Sequence, residues 1–273
     1  MRNIQELKEK KQEEFALKYF KKKFDELKER DARFCSYVAE ARAYAEVVIP
    51  AQHNQFTIFD FTGRSSDLTS RLIPPTIANK AKDSICRYCW GMSWQEIQEK
   101  GENDSQQRRF LRSHSVMMER LEKGSSVAIF GDSSGGPIGR TMVASIIMSQ
   151  AIKLRMPTGR KGQTYDWIDF AILKDALVKN TDAVTDWKNC DWLVVDNIYH
   201  NIKSSDSQTA FISEIITPFF ISRYANKLPT ILVFQYDLRD ACYNVERDLG
   251  AGITRIMNSK ETFKIPLSEK VKL

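Results

Sequence analysis

The 273-residue chain contains no run of about 18 or more uncharged apolar residues, which excludes an ordinary transmembrane helix. It has no glycine or proline before Pro50, so nothing in its first part breaks a helix. Histidine is scarce. His53, His114 and His200 are the only three, and none has sequence neighbours that form a Ser-His-Asp or Cys-His arrangement. Five cysteines lack the spacing of a disulfide framework, which points to reduced thiols in a cytosolic setting. The start of the chain is charged from Arg2 to Lys11, unlike a secretory signal. There is no internal repeat and no low-complexity tract. These absences lead to the expectation of a soluble cytoplasmic protein with no membrane association. The formal charge of +6 is compatible with nucleic-acid binding without requiring it.

What is present divides the chain into three regions. Residues 1–48 read as an amphipathic helical region. Leu7, Phe15, Leu17, Phe20, Phe24, Leu27 and Phe34 recur at roughly helical spacing among lysines and glutamates. Opposite charges such as Glu14–Lys18 and Glu26–Arg30 stand four apart, which supports an exposed helix. The region is either a solvated helix packed on its own domain or a helix that docks its aromatic stripe on a partner. Residues 49–122 read as a mostly helical connection. A short strand is expected at Gln55–Phe61, a loop at Arg64–Pro75, and helices at Ile77–Gly91, Trp94–Lys100 and Arg108–Glu122, with a polar break at Gly101–Gln107.

Residues 123–273 carry a different pattern. Val127–Phe130 reads as a buried strand and Thr141–Leu154 as an apolar helix. Strands are expected at Trp167–Ile172, Trp192–Val195 and Thr230–Phe234. Helices are expected at Leu173–Lys179 and Thr209–Tyr224, the latter kinked or divided by Pro218. Strands alternating with helices predict an α/β fold, a parallel sheet flanked by helices.

Between the first strand and its helix lies Phe130-Gly131-Asp132-Ser133-Ser134-Gly135-Gly136-Pro137-Ile138-Gly139-Arg140-Thr141. This is where a phosphate-binding loop belongs. Gly135, Gly136 and Gly139 would let backbone N–H groups approach phosphate, and the helix beginning near Arg140 adds its N-terminal partial charge. Thr141 would offer its hydroxyl to Mg²⁺. The pattern G-x-x-x-x-G-K-[ST] is altered: Ser134 stands for the first glycine and Arg140 for the lysine. Arginine keeps the charge but is longer and planar. Downstream, Trp192-Leu193-Val194-Val195-Asp196-Asn197 is an apolar strand ending in an acid, the form of a Walker B element. Asp196 would hold Mg²⁺. Asn197 stands where an active ATPase has a second acid, and a neutral amide is a poor proton acceptor. Arg140 and Asn197 together predict ATP binding with slow hydrolysis or none.

The ordered set resembles the AAA+ ATPases of the DnaC/DnaI helicase-loader group and the related IstB transposition ATPases. It comprises Val127–Thr141, Asp196, Phe220-Ile221-Ser222-Arg223-Tyr224 with Leu228-Pro229-Thr230-Ile231, and Leu249-Gly250-Ala251-Gly252-Ile253-Thr254-Arg255-Ile256. The resemblance implies that Arg223 reaches a neighbouring subunit's nucleotide. It implies that Arg255 contacts nucleotide within its own subunit and that Gln235 stands near the sensor-1 position, where the group has Asn. It also implies a phage- or mobile-element-type helicase loader that binds ATP and Mg²⁺, assembles as a homo-oligomer and holds a replicative helicase through its N-terminal region. Lys153, Arg155, Arg160 and Lys161 form a basic loop expected to contact single-stranded DNA. Two rivals share the fold: an IstB-like ATPase acting on duplex DNA, and a nucleotide-free pseudo-ATPase adaptor in which Arg140 plugs the phosphate site. Cys86 and Cys89 form a C-x-x-C pair without a second pair, which favours two reduced thiols in a helix over zinc.

Overall fold

The computed structural model describes residues 45, 48–50, 57–58, 73, 75–113, 115–131, 139–155, 164–198, 206–235 and 252–267. The amphipathic helical region expected over residues 1–48 lies outside the described residues apart from residues 45 and 48, as do the strand Gln55–Phe61, apart from 57–58, and most of the loop Arg64–Pro75.

Four helices precede the first strand: α1 (Pro75–Trp90), α2 (Trp94–Gln98), α3 (Asp104–Ser113) and α4 (Met117–Glu122). Pro75 opens α1, where its fixed φ suits a helix and its missing N–H costs nothing. Gly91 closes it at φ +71°. Ser93 and Glu96 form a reciprocal capping box at the start of α2. The single helix expected over Arg108–Glu122 is two helices. Between them Val116 N donates to Cys89 O at 3.1 Å and Ser115 Oγ donates to the same carbonyl at 3.0 Å. Satisfying that orphan carbonyl at the end of α1 draws the chain out of helical geometry.

The remaining order is β1 (Val127–Phe130), α5 (Arg140–Arg155), β2 (Tyr165–Asp169), α6 (Phe170–Lys179), α7 (Ala183–Asn189), β3 (Trp192–Ile198), α8 (Asp206–Ala225) and β4 (Thr230–Phe234). A further helix, α9, spans residues 252–258, and β5 (Phe263–Pro266) ends the sheet. The strands form one sheet in the order β2-β3-β4-β1-β5, and every adjacent pair is parallel. The chain therefore has the expected α/β architecture, a parallel sheet flanked by helices. Helices α7 and α9 and strand β5 have no counterpart among the expected elements. The strand expected at Trp167–Ile172 ends at Asp169, whose carboxylate caps α6 by accepting from Ala171 N. Helix α8 runs through Pro218 without division. Its buried Ile216, Phe219 and Phe220, on both sides of Pro218, belong to one apolar cluster.

Side chains alternate across the sheet. Val127, Ile129, Val194, Ile231 and Val233 face a cluster that contains Val143, Ile146 and Ile147 of α5 and Ile85 and Tyr88 of α1. Ala128, Phe130, Leu193, Val195, Leu232 and Phe234 face the other cluster, with Phe170 of α6, Phe219 and Phe220 of α8, and Ile253 of α9. Helices before residue 123 thus pack on the same face as α5 and share its core. The chain leaves β1 over the first face toward β2. It leaves the adjacent β4 over the second face toward β5. That divergence makes a topological switch point, and in such sheets ligands bind outside the carboxyl ends of the strands there.

Candidate functional site

The carboxyl ends of β1, β3 and β4 meet the N-terminus of α5 at this switch point. Gly139, just before α5, has φ +72°, a left-handed conformation that favours glycine. Its carbonyl accepts from Val143 N at 2.9 Å and so starts the helix. The loop residues 132–138, which include Ser134, Gly135 and Gly136, lie outside the described residues.

Thr141 and Asp196 come together. Thr141 Oγ1 lies 3.5 Å from Asp196 Oδ1. The alternation that sends Val194 toward α5 sends Asp196 to the same face. Asp196 is buried at 4% exposure. Burial raises its carboxyl above the ordinary range, the backbone N–H of Asn197 and the Thr141 hydroxyl pull it down, and Asp169 pushes it up. A hydroxyl and a carboxylate oxygen are the hard donors that Mg²⁺ takes beside water and phosphate, so these residues fit the ion. Arg140 is folded back, its Nη1 donating to Gly131 O at the end of β1.

Asn197 departs from strand geometry. It has φ +58°, and the β3–β4 register shifts between Val195 and Ile198. An asparagine tolerates this left-handed bulge better than most residues. The bulge turns the Asn197 side chain sideways along the sheet edge. Its Nδ2 donates to Asp169 Oδ2 at 2.8 Å, and its Oδ1 accepts from Gln235 Nε2 at 3.0 Å. The amide is thus held from both sides, by β2 and by the residue after β4. Asp169 is a site residue that sequence reasoning missed. Reading β2 through Ile172 places it mid-strand. The Asp-Phe-Ala start of α6, an acidic cap before an apolar run, is the signal that could have found it.

Arg223 is elsewhere. The sequence reading sends it out to a neighbouring subunit, but it is fully buried at 0% exposure and lies at the amino edge of the sheet. Its Nη1 donates to Trp187 O at 2.7 Å and Cys190 O at 2.8 Å, its Nη2 to Pro229 O at 2.9 Å, and its Nε to Thr230 Oγ1 at 3.0 Å. The guanidinium fork fits the converging carbonyls at the end of α7 and the start of β4, so burial there outweighs exposure. In this arrangement Arg223 has no reach beyond its own chain. Arg255 lies exposed on α9. Lys153 is exposed near the end of α5, and Arg155 is the last residue of that helix. Arg160 and Lys161 lie outside the described residues, as does His200.

Cys86 and Cys89 are buried in α1 as free thiols. Burial raises both well above the ordinary thiol range. Among the described residues no group of three or more His, Cys, Asp or Glu side chains is placed to hold a metal ion. Among the same residues no helix is long and apolar enough to cross a membrane.

No family model matches this chain, and no curated protein matches it. Two solved structures show a loose likeness. A protein classed as a candidate primosome component from Streptococcus pyogenes serotype M3 is 15% identical with a TM-score of 0.39, over 59% of this chain and 80% of that one. DnaI is 14% identical with a TM-score of 0.39, over 62% of this chain and 86% of that one. Likenesses of this size carry no inference about function.

Proposed function

We propose that this chain is a helicase-loader-like protein whose α/β domain binds ATP with Mg²⁺ as a switch, with hydrolysis slow. The observation that carries the nucleotide part is the approach of Thr141 to Asp196 in front of the α5 N-terminus, at the switch point of a parallel sheet. Helix N-termini and backbone N–H groups there favour phosphate. Thr141 and Asp196 would hold Mg²⁺, which neutralises phosphate charge when bound. Arg140 would have to release the Gly131 carbonyl to reach phosphate. Asn197, clamped between Asp169 and Gln235, supports slow chemistry because a neutral amide accepts protons poorly.

The loader part rests on the sequence order of the phosphate loop, Asp196 and the Arg255 segment, which resembles the helicase-loader ATPases. In this reading residues 1–48 hold a replicative helicase, and Lys153, Arg155, Arg160 and Lys161 contact single-stranded DNA. Arg255, exposed on α9, contacts nucleotide. Self-assembly stays part of the proposal, but it needs an interface cation other than the buried Arg223.

The test is equilibrium binding of a fluorescent ATP analogue with and without Mg²⁺, beside capture of helicase from the source cell. Magnesium-dependent binding, lost in Asp196→Asn, together with helicase capture through residues 1–48, is the expected result. Binding without capture of any replicative helicase overturns the loader part alone. A second reading, the nucleotide-free adaptor, is favoured by one observation: the Arg140 guanidinium already engages the carbonyl at the end of β1. No binding at millimolar nucleotide removes the switch reading and favours that second one.

A further inference from the structure

This chain has Asn197 where an active ATPase has a second acid, yet a second carboxylate stands beside Asp196. Asp169 ends β2 and is the register partner of Asp196 on β3. Neighbouring parallel strands lie about 4.8 Å apart. Tyr165 on β2 and Val194 on β3 both face the α5 cluster, and alternation gives Asp169 and Asp196 that same face. Asp169 at the end of β2 and Asp196 near the end of β3 therefore lie on the side where α5 begins.

Asp169 is also held in place. Its Oδ1 accepts from Ala171 N at 2.8 Å and its Oδ2 from Asn197 Nδ2 at 2.8 Å. A carboxylate has about four lone-pair sites, so two bonds orient the group and leave acceptor capacity on both oxygens. Unlike Asp196, it is only half-buried. The left-handed bulge at Asn197 is what turns an amide, rather than a carboxylate, toward it.

We infer that Asp169 supplies the water-polarising carboxylate that position 197 lacks, with Asn197 as its positioning residue. The inference rests on the nucleotide-binding reading above. In the step it serves, a water oxygen forms a bond to the γ-phosphorus. The bond from that phosphorus to the β–γ bridging oxygen breaks, and its electron pair leaves on ADP. The proton released by the water passes to a free lone pair of Asp169. The slow turnover of this protein runs through that carboxylate.

The experiment uses the full chain with ATP and Mg²⁺ and compares wild type with Asp169→Asn and Asp169→Ser. Both replacements are good helix N-caps, so α6 keeps its start, and melting curves report whether each variant folds. Three quantities are read: affinity for a fluorescent ATP analogue, the melting shift on adding Mg²⁺ and ATP, and single-turnover phosphate release. The expected result is release at least about 100-fold slower in both variants, the scale of a lost general base, with affinity and melting shift within about twofold of wild type. Asn197→Ala is expected to slow release less than either, since it loosens the carboxylate without removing it. Release at the wild-type rate in Asp169→Asn overturns the inference, as does a wild type that binds nucleotide but releases no phosphate. Both of those outcomes leave the nucleotide-switch reading standing. Absence of binding in wild type sinks that reading itself.

Discussion

Thr141 at the start of α5 and Asp196 near the end of β3 are 55 positions apart in sequence, and their side-chain oxygens approach to 3.5 Å. The contact leaves a buried carboxylate with only modest compensation. Burial raises its folded pKa, so the folded state holds that proton to a higher pH than the unfolded chain does. The sign follows from linkage: the contribution of Asp196 improves as pH falls through its raised folded pKa and becomes a charge-burial cost above it. In EDTA and without nucleotide, Asp196→Asn is therefore expected to melt a few degrees above wild type near neutral pH, on the ~2–4 °C per kcal/mol scale. The difference should shrink as the buffer is made acidic. The same variant is expected to bind Mg²⁺–ATP at least about tenfold more weakly, as a lost metal ligand requires. Melting scans across pH, paired with titrations, check both halves.

Arg223 is expected to act as a structural residue. Arg223→Ala strands the carbonyls of Trp187, Cys190 and Pro229 in the interior and should destabilise the fold by about 3 kcal/mol or more. Arg223→Lys cannot reproduce the fork and should recover only part of that loss. Urea denaturation of the two variants measures this. A fold as stable as wild type in Arg223→Ala would contradict the buried arrangement.

Gly252 begins α9 against α8. A Cβ added there would lie 2.6 Å from Thr217 O and 3.0 Å from Phe220 Cβ, and a backbone oxygen cannot swing aside. Gly252→Ala is expected to cost about 1–3 kcal/mol through overpacking. Under the proposed contact of Arg255 on α9 with nucleotide, the variant should also weaken nucleotide binding, and the two effects are separable by titrating well below the melting range.

The buried pair Cys86 and Cys89 should be chemically silent. Only a thiolate attacks disulfide reagents, and burial pushes both thiols up. In a Cys35→Ser, Cys242→Ser background, an aromatic disulfide reagent at pH 8 is expected to label neither in the native state and both in denaturant. Cys190, pushed up to about 11 by burial, should likewise stay unlabelled until the fold opens. Rapid native labelling of Cys86 would show that α1 leaves the sheet readily.

Elements buried on both faces were legible before folding. Val127–Phe130 and residues 231–234 are uninterrupted apolar runs, which is how parallel strands covered on both sides read, and both strands are buried throughout. Strand β5 was not legible. It is an edge strand of four residues with Lys264 exposed and Pro266 at its end, a composition that edge positions tolerate and that carries no alternation signal. Helix α7 has seven residues and none fully buried; its only packed apolar pair, Val184 and Trp187, is too short a pattern to read as a helix.

For the site the division follows the range of the forces involved. The sequence alone determined the chemistry available, namely an arginine for the lysine, a threonine after it, and an acid followed by an amide at a strand end. It also determined the α/β class, because apolar periodicity is a local property. Only the tertiary structure decided which groups meet. Strand register set Asp169 beside Asp196, and a left-handed bulge aimed Asn197 at Asp169. The carbonyls of α7 and of the turn before β4 converged on Arg223 and drew it inward. These outcomes depend on hydrogen-bond partners tens of residues away, and a local pattern carries no record of them.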